Sequence, residues 1–422
     1  MAKGIASPAL VVRMARAGLL SFYGAGGQRA HEIDGALAEL RAMLPPGTAY
    51  GVNLLHQPAP DLEEALVDRA IAREVPVAEA SAFINVTPAL VRLRLAGARR
   101  DPSGAPLTAR RVLGKASRLE VIDRLLAPPP PELVAELERS GRLSADEAAV
   151  APSLAMVDEL CVEADSGGHT DRGVAGVLLP AARELRDAAA ARYGYPRVPR
   201  VGLAGGLGTP RAVAAAFVLG AEFVLTGSIN QCTVEAATSD TVKDMLAAAD
   251  VHDVDLAPAG DMLEIGARIQ VLRRGSLFAP RATKLYDTYR RCAGLDDIEA
   301  AARAQIERTI LKRDVASVWD ETRAYYAAAA PDELARAEAN PKLKMSLVFR
   351  WYWIDSQRKA LRGDPAERVD YQVWCGPAMG AFNRWARGTE LEPWRNRHAD
   401  EIARRLMDEA AALLHGAEPQ PG

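Results

Sequence analysis

Over its first three hundred residues the chain alternates short β-rich runs with longer helical ones. That rhythm leaves few architectures open, because repeated βα units wind a parallel sheet. The runs that predict strands are Leu19 to Phe22, Tyr50 to Leu54, Val77 to Ala80, Val112 to Lys115, Leu160 to Glu163, Val201 to Ala204 and Phe223 to Thr226. Helices are expected between them, at Pro8 to Ala17, Ile33 to Met43, Leu62 to Glu74, Pro88 to Leu95, Leu119 to Leu126, Leu178 to Tyr193 and Pro210 to Leu219, spaced as right-handed crossovers need. The fold class this implies is α/β, a (β/α)8 TIM barrel. Because the pattern opens on a helix, the first barrel strand is expected upstream of Met1.

A chain of 422 residues holds such a barrel, about 250 residues, together with an appendage. The stretch Ala127 to Pro152 interrupts the rhythm with a proline run and two short helical segments, Glu132 to Ser140 and Ser144 to Ala149, and reads as a helical insertion. After Thr226 the strands are expected to stop, and an Ala- and Arg-rich helical region follows that carries Trp351, Trp353, Trp374, Trp385 and Trp394. The organisation expected is therefore a barrel domain over 1–240, with its insertion at about 127–152, and a mainly helical lid or interface region over 241–422, fraying from Gly416. Charge is nearly balanced, 52 Lys+Arg against 55 Asp+Glu, so no global field favours nucleic acid or an anionic membrane. Cys161, Cys232, Cys292 and Cys375 stand far apart with no metal-binding spacing. With no signal-like start and no apolar run of about 18 residues, the protein reads as soluble and cytoplasmic.

The strongest local signal lies in VGLAGGLGTPRAVAAAFVLGAEFVLTGS, starting at Val201. Gly205 and Gly206 allow backbone N–H groups to approach an anion, Thr209 suits a helix N-cap and Pro210 the first helical position. One helix later the next strand ends in Gly227 and Ser228, so two neighbouring βα turns offer donors to one phosphate. The bland reading is a pair of tight turns. A dinucleotide fingerprint fails at Gly24 to Arg29, where the sixth position is arginine instead of glycine. After Leu160 to Glu163 comes EADSGGHTDRG, which sets Gly168 and His169 on the rim where a barrel keeps its chemistry. An imidazole there can give or take a proton near neutrality, with Asp165 or Asp171 to orient it, or it can simply tie down its loop. Asn53 and Lys115 end two further strands and suit the edge and the negative charge of a flavin, or else cap the following helices. The cluster Arg92, Arg94, Arg99, Arg100, Arg110 and Arg111 is the first choice for contact with an acidic protein partner.

These residues resemble the flavin enzymes related to nitronate monooxygenase and to FabK-type enoyl reductases, through the GVN strand end, the SGGH loop, the AGG turn and the TGS turn. The longer strings EADSGGHTD, TGSINQ, KLYDTYRRC, SLVFRWYW and DYQVWCGPAMGAFN are similar to the PfaD-type trans-acting enoyl reductases of polyunsaturated fatty acid synthases and polyketide assembly lines, over essentially the whole chain. The resemblance implies an FMN-dependent, NADPH-using reductase of 2-enoyl thioesters on acyl carrier protein. Asn53, Lys115, Gly168, Gly205, Gly206, Gly227 and Ser228 would hold FMN, and His169 would be the proton donor or substrate anchor. It also implies no metal, and allows a homodimer. Relatives carry a further N-terminal segment and a first strand ending in a Gly-Met-Ala-like turn, whereas this chain begins inside that turn at Met1-Ala2-Lys3. Two other readings use the same residues: a nitronate monooxygenase that needs no nicotinamide, and a non-catalytic megasynthase scaffold with a degenerate barrel.

Overall fold

The computed structural model describes residues 1–57 and 59–416, so the expected tail lies, from 417 onward, outside the described residues. Each of the seven expected runs overlaps a strand, the first by Phe22 alone: β1 (Phe22–Tyr23), β2 (Gly51–Leu55), β3 (Val77–Ser81), β4 (Arg111–Ala116), β5 (Glu159–Glu163), β7 (Arg200–Ala204) and β8 (Val224–Leu225), with β6 (Gly168–His169) lying elsewhere. They pair in parallel and in chain order, β1-β2-β3-β4-β5-β7-β8, the order of a TIM-type barrel. The middle strands are buried along nearly their whole length, with β3 buried at every position. Such continuous burial is what a parallel sheet covered on both faces imposes. Register then fixes neighbours, placing Asn53 beside Glu79 and Ser81 beside Lys115.

One carboxylate ties the starting ends of these strands. Asp158 Oδ2 accepts from Arg94 Nη1 at 2.6 Å and from the Val112 N–H at 2.8 Å. The Asp158 N–H donates to Val112 O at 2.8 Å, and the Arg200 N–H donates to Asp158 O at 3.1 Å. Arg94 and Asp158 have side chains only 2% and 8% exposed, so neither charge survives without the other. The insertion is as expected, with helices Pro131–Arg139 and Ala145–Val150, the second opened by a Ser144/Glu147 capping box.

The chain divides into two compact units, the first holding Met1–Asp165, Asp171–Ala237 and the chain from Arg384, the second Ser166–Thr170 and Thr238–Asn383. Two expectations change here. Strands do not stop at Thr226: β9 (Val254–Pro258) and β10 (Arg268–Leu272) pair antiparallel, and β10 takes β6 on its other edge. Each run is only five residues long and sits among Ala, Pro and Gly, and β10 is buried at four consecutive positions, so no alternation marks it. The region 241–422 is also not one piece, because the helix Ala399–Leu414 packs on the helices Pro210–Val218 and Pro8–Arg16 of the first unit. Arg13 holds it there through Asp400 and, at 2.8 Å, Glu401. Inside the second unit the aromatics are core: Phe278 stacks on Tyr352 at 5.7 Å, and Trp353 Nε1 donates to Pro258 O at 2.8 Å.

Removing the carboxylate in Asp158→Ala is expected to destabilise the protein by about 3–5 kcal/mol, the cost of stranding a buried guanidinium. Urea unfolding measures this; a loss below 1 kcal/mol, roughly the value of an exposed pair, contradicts the anchoring role.

Candidate active site

In the first unit the C-terminal ends of the central strands carry a charged cluster. Lys115 Nζ, from β4, lies 3.2 Å from Glu163 Oε1 and 3.5 Å from Glu79 Oε1. Burial disfavours the ammonium, but the charges of Glu163 and Glu79 outweigh it and hold Lys115 well above its ordinary value. Lys115 is therefore a fixed cation and no proton donor near neutrality. Asn53 Nδ2 donates to Glu79 Oε2 and to Ser81 Oγ, both at 3.2 Å, and Ser81 Oγ donates to Glu79 Oε1 at 3.1 Å. Burial pushes the neighbouring Cys161 thiol up, which keeps it protonated, and pushes the Met1 amino group down beside the same carboxylates. Asn53 and Lys115 are thus brought together, through a residue that sequence reasoning missed. The available signal was an acid in the middle of an otherwise small and apolar strand, VAEAS.

The two glycine turns end the neighbouring strands β7 and β8, where Leu203 pairs with Val224 and Ala204 with Leu225. Gly205 has φ +93°, and a Cβ there would lie 2.6 Å from Ala164 O, so the close approach requires glycine. At Gly206 (φ +74°) and at Gly227 a Cβ would meet nothing within 4 Å, which leaves open space over both turns. Thr209 Oγ1 accepts from the Ala212 N–H at 3.3 Å and Pro210 opens the helix, as expected. Among the described residues the N–H groups of Gly206, Leu207 and Gly227 meet no protein acceptor. Ser228 begins a short 3-10 turn over Ser228–Cys232.

Gly168 and His169 fall in the second unit, on β6, paired with Gln270 and Ile269. Gly168 has φ +90°, and its missing Cβ would sit 3.5 Å from the Trp374 ring. His169 Nε2 lies 2.9 Å from Asp261 Oδ1, and its ring meets Trp374 edge-on, 5.8 Å between centroids. Asp261 is a partner that the sequence reading did not name. Asp171 is engaged by Ser117 Oγ at 2.6 Å and by Arg118, and Asp165 stays with the first unit. An acid 92 residues away carries no spacing signal. Desolvation pushes the Asp261 carboxyl up, but the hydrogen bond and charge of His169 outweigh it and hold the carboxyl below its ordinary value.

Most of the arginine cluster is engaged within the chain. Arg94 is spent on Asp158, Arg110 donates to Leu93 O and Ala96 O, Arg111 pairs with Glu159, and Arg92 pairs with Asp68. Arg100 donates to Gly104 O at 2.9 Å, which leaves Arg99 as the one exposed member without a side-chain partner among the described residues.

A family model described as nitronate monooxygenase matches residues 1–314. The chain belongs to the nitronate monooxygenase family. Its members are flavin-dependent oxidoreductases. A second model, described as the inserted helical domain of [acyl-carrier-protein] S-malonyltransferase, matches residues 292–371, within the second unit. The polyketide biosynthesis protein PksE of Bacillus subtilis is 46% identical over 98% of this chain and 54% of its own length. A component of the polyunsaturated fatty acid synthase of Thraustochytrium is 41% identical over 93% of this chain and 26% of its own length. The chain thus spans about half or less of the curated relatives it matches. The crystal structure of the enoyl reductase domain of MlnA, from the macrolactin cluster of Bacillus amyloliquefaciens, superposes with a TM-score of 0.95 at 37% identity, covering 99% of this chain and 93% of that one. Within its family the chain is of the PfaD type.

Two outcomes are expected of this nitronate monooxygenase family member. Gly206→Asp places a carboxylate where an anion is to be held, so the variant should lose flavin on desalting while wild type retains it. The Asp261 carboxyl should titrate by NMR below its ordinary value of about 4 and move up in His169→Ala. Because its folded value is depressed, the stability the pair contributes is present above about pH 4 and is lost as pH falls through the folded value.

Proposed function

We propose that this chain is an FMN-dependent, NADPH-using enoyl reductase acting in trans on 2-enoyl thioesters carried by the acyl carrier protein of a polyketide or polyunsaturated fatty acid synthase. The observation that carries this reading is the likeness, along nearly the whole of both chains, to a solved enoyl reductase domain. The residues present fit the cofactor: glycine turns with open space above them and N–H groups lacking protein acceptors suit its phosphate, and a fixed cation beside an amide suits its ring.

In this reading Gly205, Gly206, Gly227 and Ser228 hold the phosphate, Lys115 and Asn53 face the ring, and Gly168 is a further cofactor-binding residue. FMN held there would supply the two-electron hydride chemistry that links NADPH to the β-carbon of the enoyl group. Lys115 supplies a permanent positive charge where negative charge accumulates, without giving up a proton. His169 is the acid or the anchor for the thioester carbonyl. Asp261 fixes the orientation of its ring and stabilises positive charge on it. Retention of both turns, of Lys115 and of His169 counts against a scaffold that has lost its chemistry.

The deciding experiment is anaerobic NADPH oxidation by the FMN-loaded protein, with and without a crotonyl thioester on carrier protein or pantetheine. Thioester-dependent turnover to the saturated acyl group is the expected result. Flavin that NADPH does not reduce, in a protein that consumes O₂ with a nitronate, would move the assignment to a nitronate monooxygenase; a colourless protein that cannot be reconstituted would favour the scaffold. His169→Ala should keep FMN and lose about 10²–10⁴-fold in thioester reduction, the usual worth of a positioned acid.

A further inference from the structure

Glu79 has no place in the chemistry above, yet it is the hub of the cluster beneath it. Its side chain is 7% exposed, deeper than Glu163 at 27%. One oxygen lies 3.5 Å from Lys115 Nζ and accepts from Ser81, while the other accepts from Asn53 Nδ2. Both residues proposed to face the flavin ring are therefore held by one buried carboxylate. A buried acid on a strand is costly unless its oxygens find donors, as both do here. What an amide cannot supply is negative charge beside Lys115.

We infer that Glu79 is a positioning residue that fixes Lys115 and Asn53 and, with Glu163, offsets the Lys115 charge so that the reduction potential of bound flavin is held low. The inference rests on the FMN reading of the same site. Two carboxylates around one lysine, with burial pushing the Met1 amino group beside them toward its neutral form, weaken the attraction Lys115 exerts on the extra negative charge of reduced flavin. Reduced flavin is bound less tightly relative to oxidised flavin, and is the stronger hydride donor for it. Glu79→Gln removes this charge and exchanges one acceptor oxygen for an amide donor, whereas Glu79→Asp keeps the charge and both acceptors.

The test measures FMN dissociation constants and the flavin midpoint potential, by spectroelectrochemical titration, in wild type, Glu79→Gln, Glu79→Asp and Glu163→Gln. Glu79→Gln should favour reduced over oxidised flavin by about tenfold or more, a rise of about 30 mV per tenfold for two electrons. Glu79→Asp, which keeps the charge, should restore most of the wild-type potential, and the more exposed Glu163→Gln should raise it less than Glu79→Gln. A folded, FMN-loaded Glu79→Gln with the wild-type potential overturns the inference. Should that variant not fold, Glu163→Gln is decisive, and an unchanged potential there overturns it equally. Wild type that binds no FMN defeats the underlying reading instead, which separates the two failures.

Discussion

A parallel sheet buried on both faces cannot carry an unpaired charge, and much of this molecule follows from that constraint. At the starting ends of the strands, Arg94 and Asp158 cancel each other and knit backbone to side chain. At the finishing ends, Lys115 is cancelled by Glu79 and Glu163. The two ends solve one problem for different purposes. Asp158 spends its lone pairs on fixed backbone and an arginine, so that end is static. The other cluster ends strands next to the glycine turns, where among the described residues the N–H groups of Gly206, Leu207 and Gly227 meet no protein acceptor.

The barrel-type order was legible because it depends on short-range pattern. All seven parallel strands fall where apolar runs alternate with helical ones, and the Thr209-Pro210 helix start follows from local capping chemistry. The site was legible only in part. Glycines at positive φ and a histidine after a strand announce themselves along the chain, whereas Asp261 reaches His169 across a long separation, and Glu79, marked only as an acid within an apolar strand, gains its partners when register sets it beside Asn53. The arginine cluster shows the complementary limit: adjacency in sequence says nothing about whether each guanidinium has a buried partner, and Arg94, Arg110 and Arg111 have one whereas Arg92 pairs with an exposed acid.

The second unit illustrates how composition can hide strands. Ala and Arg dominate the region, and two five-residue runs are too short to shift that impression, yet they form the edge on which the histidine-bearing segment is hydrogen-bonded. Its tryptophans divide by role. Trp353 is packed in the interior with its N–H satisfied by Pro258, while Trp374 stands against the His169 ring.

The excursion of Ser166–Thr170 makes the chain hard to dissect. Five residues leave the first unit, complete the sheet of the second and return, so the histidine belongs by covalent sequence to one body and by hydrogen bonding to the other. Expressing 1–237 alone would leave β6 without the strand that holds it. An excised second unit would lack an edge strand and its histidine. The two units are therefore not interchangeable modules: a recombination that swaps the second unit for a foreign one must also rewrite five residues far upstream.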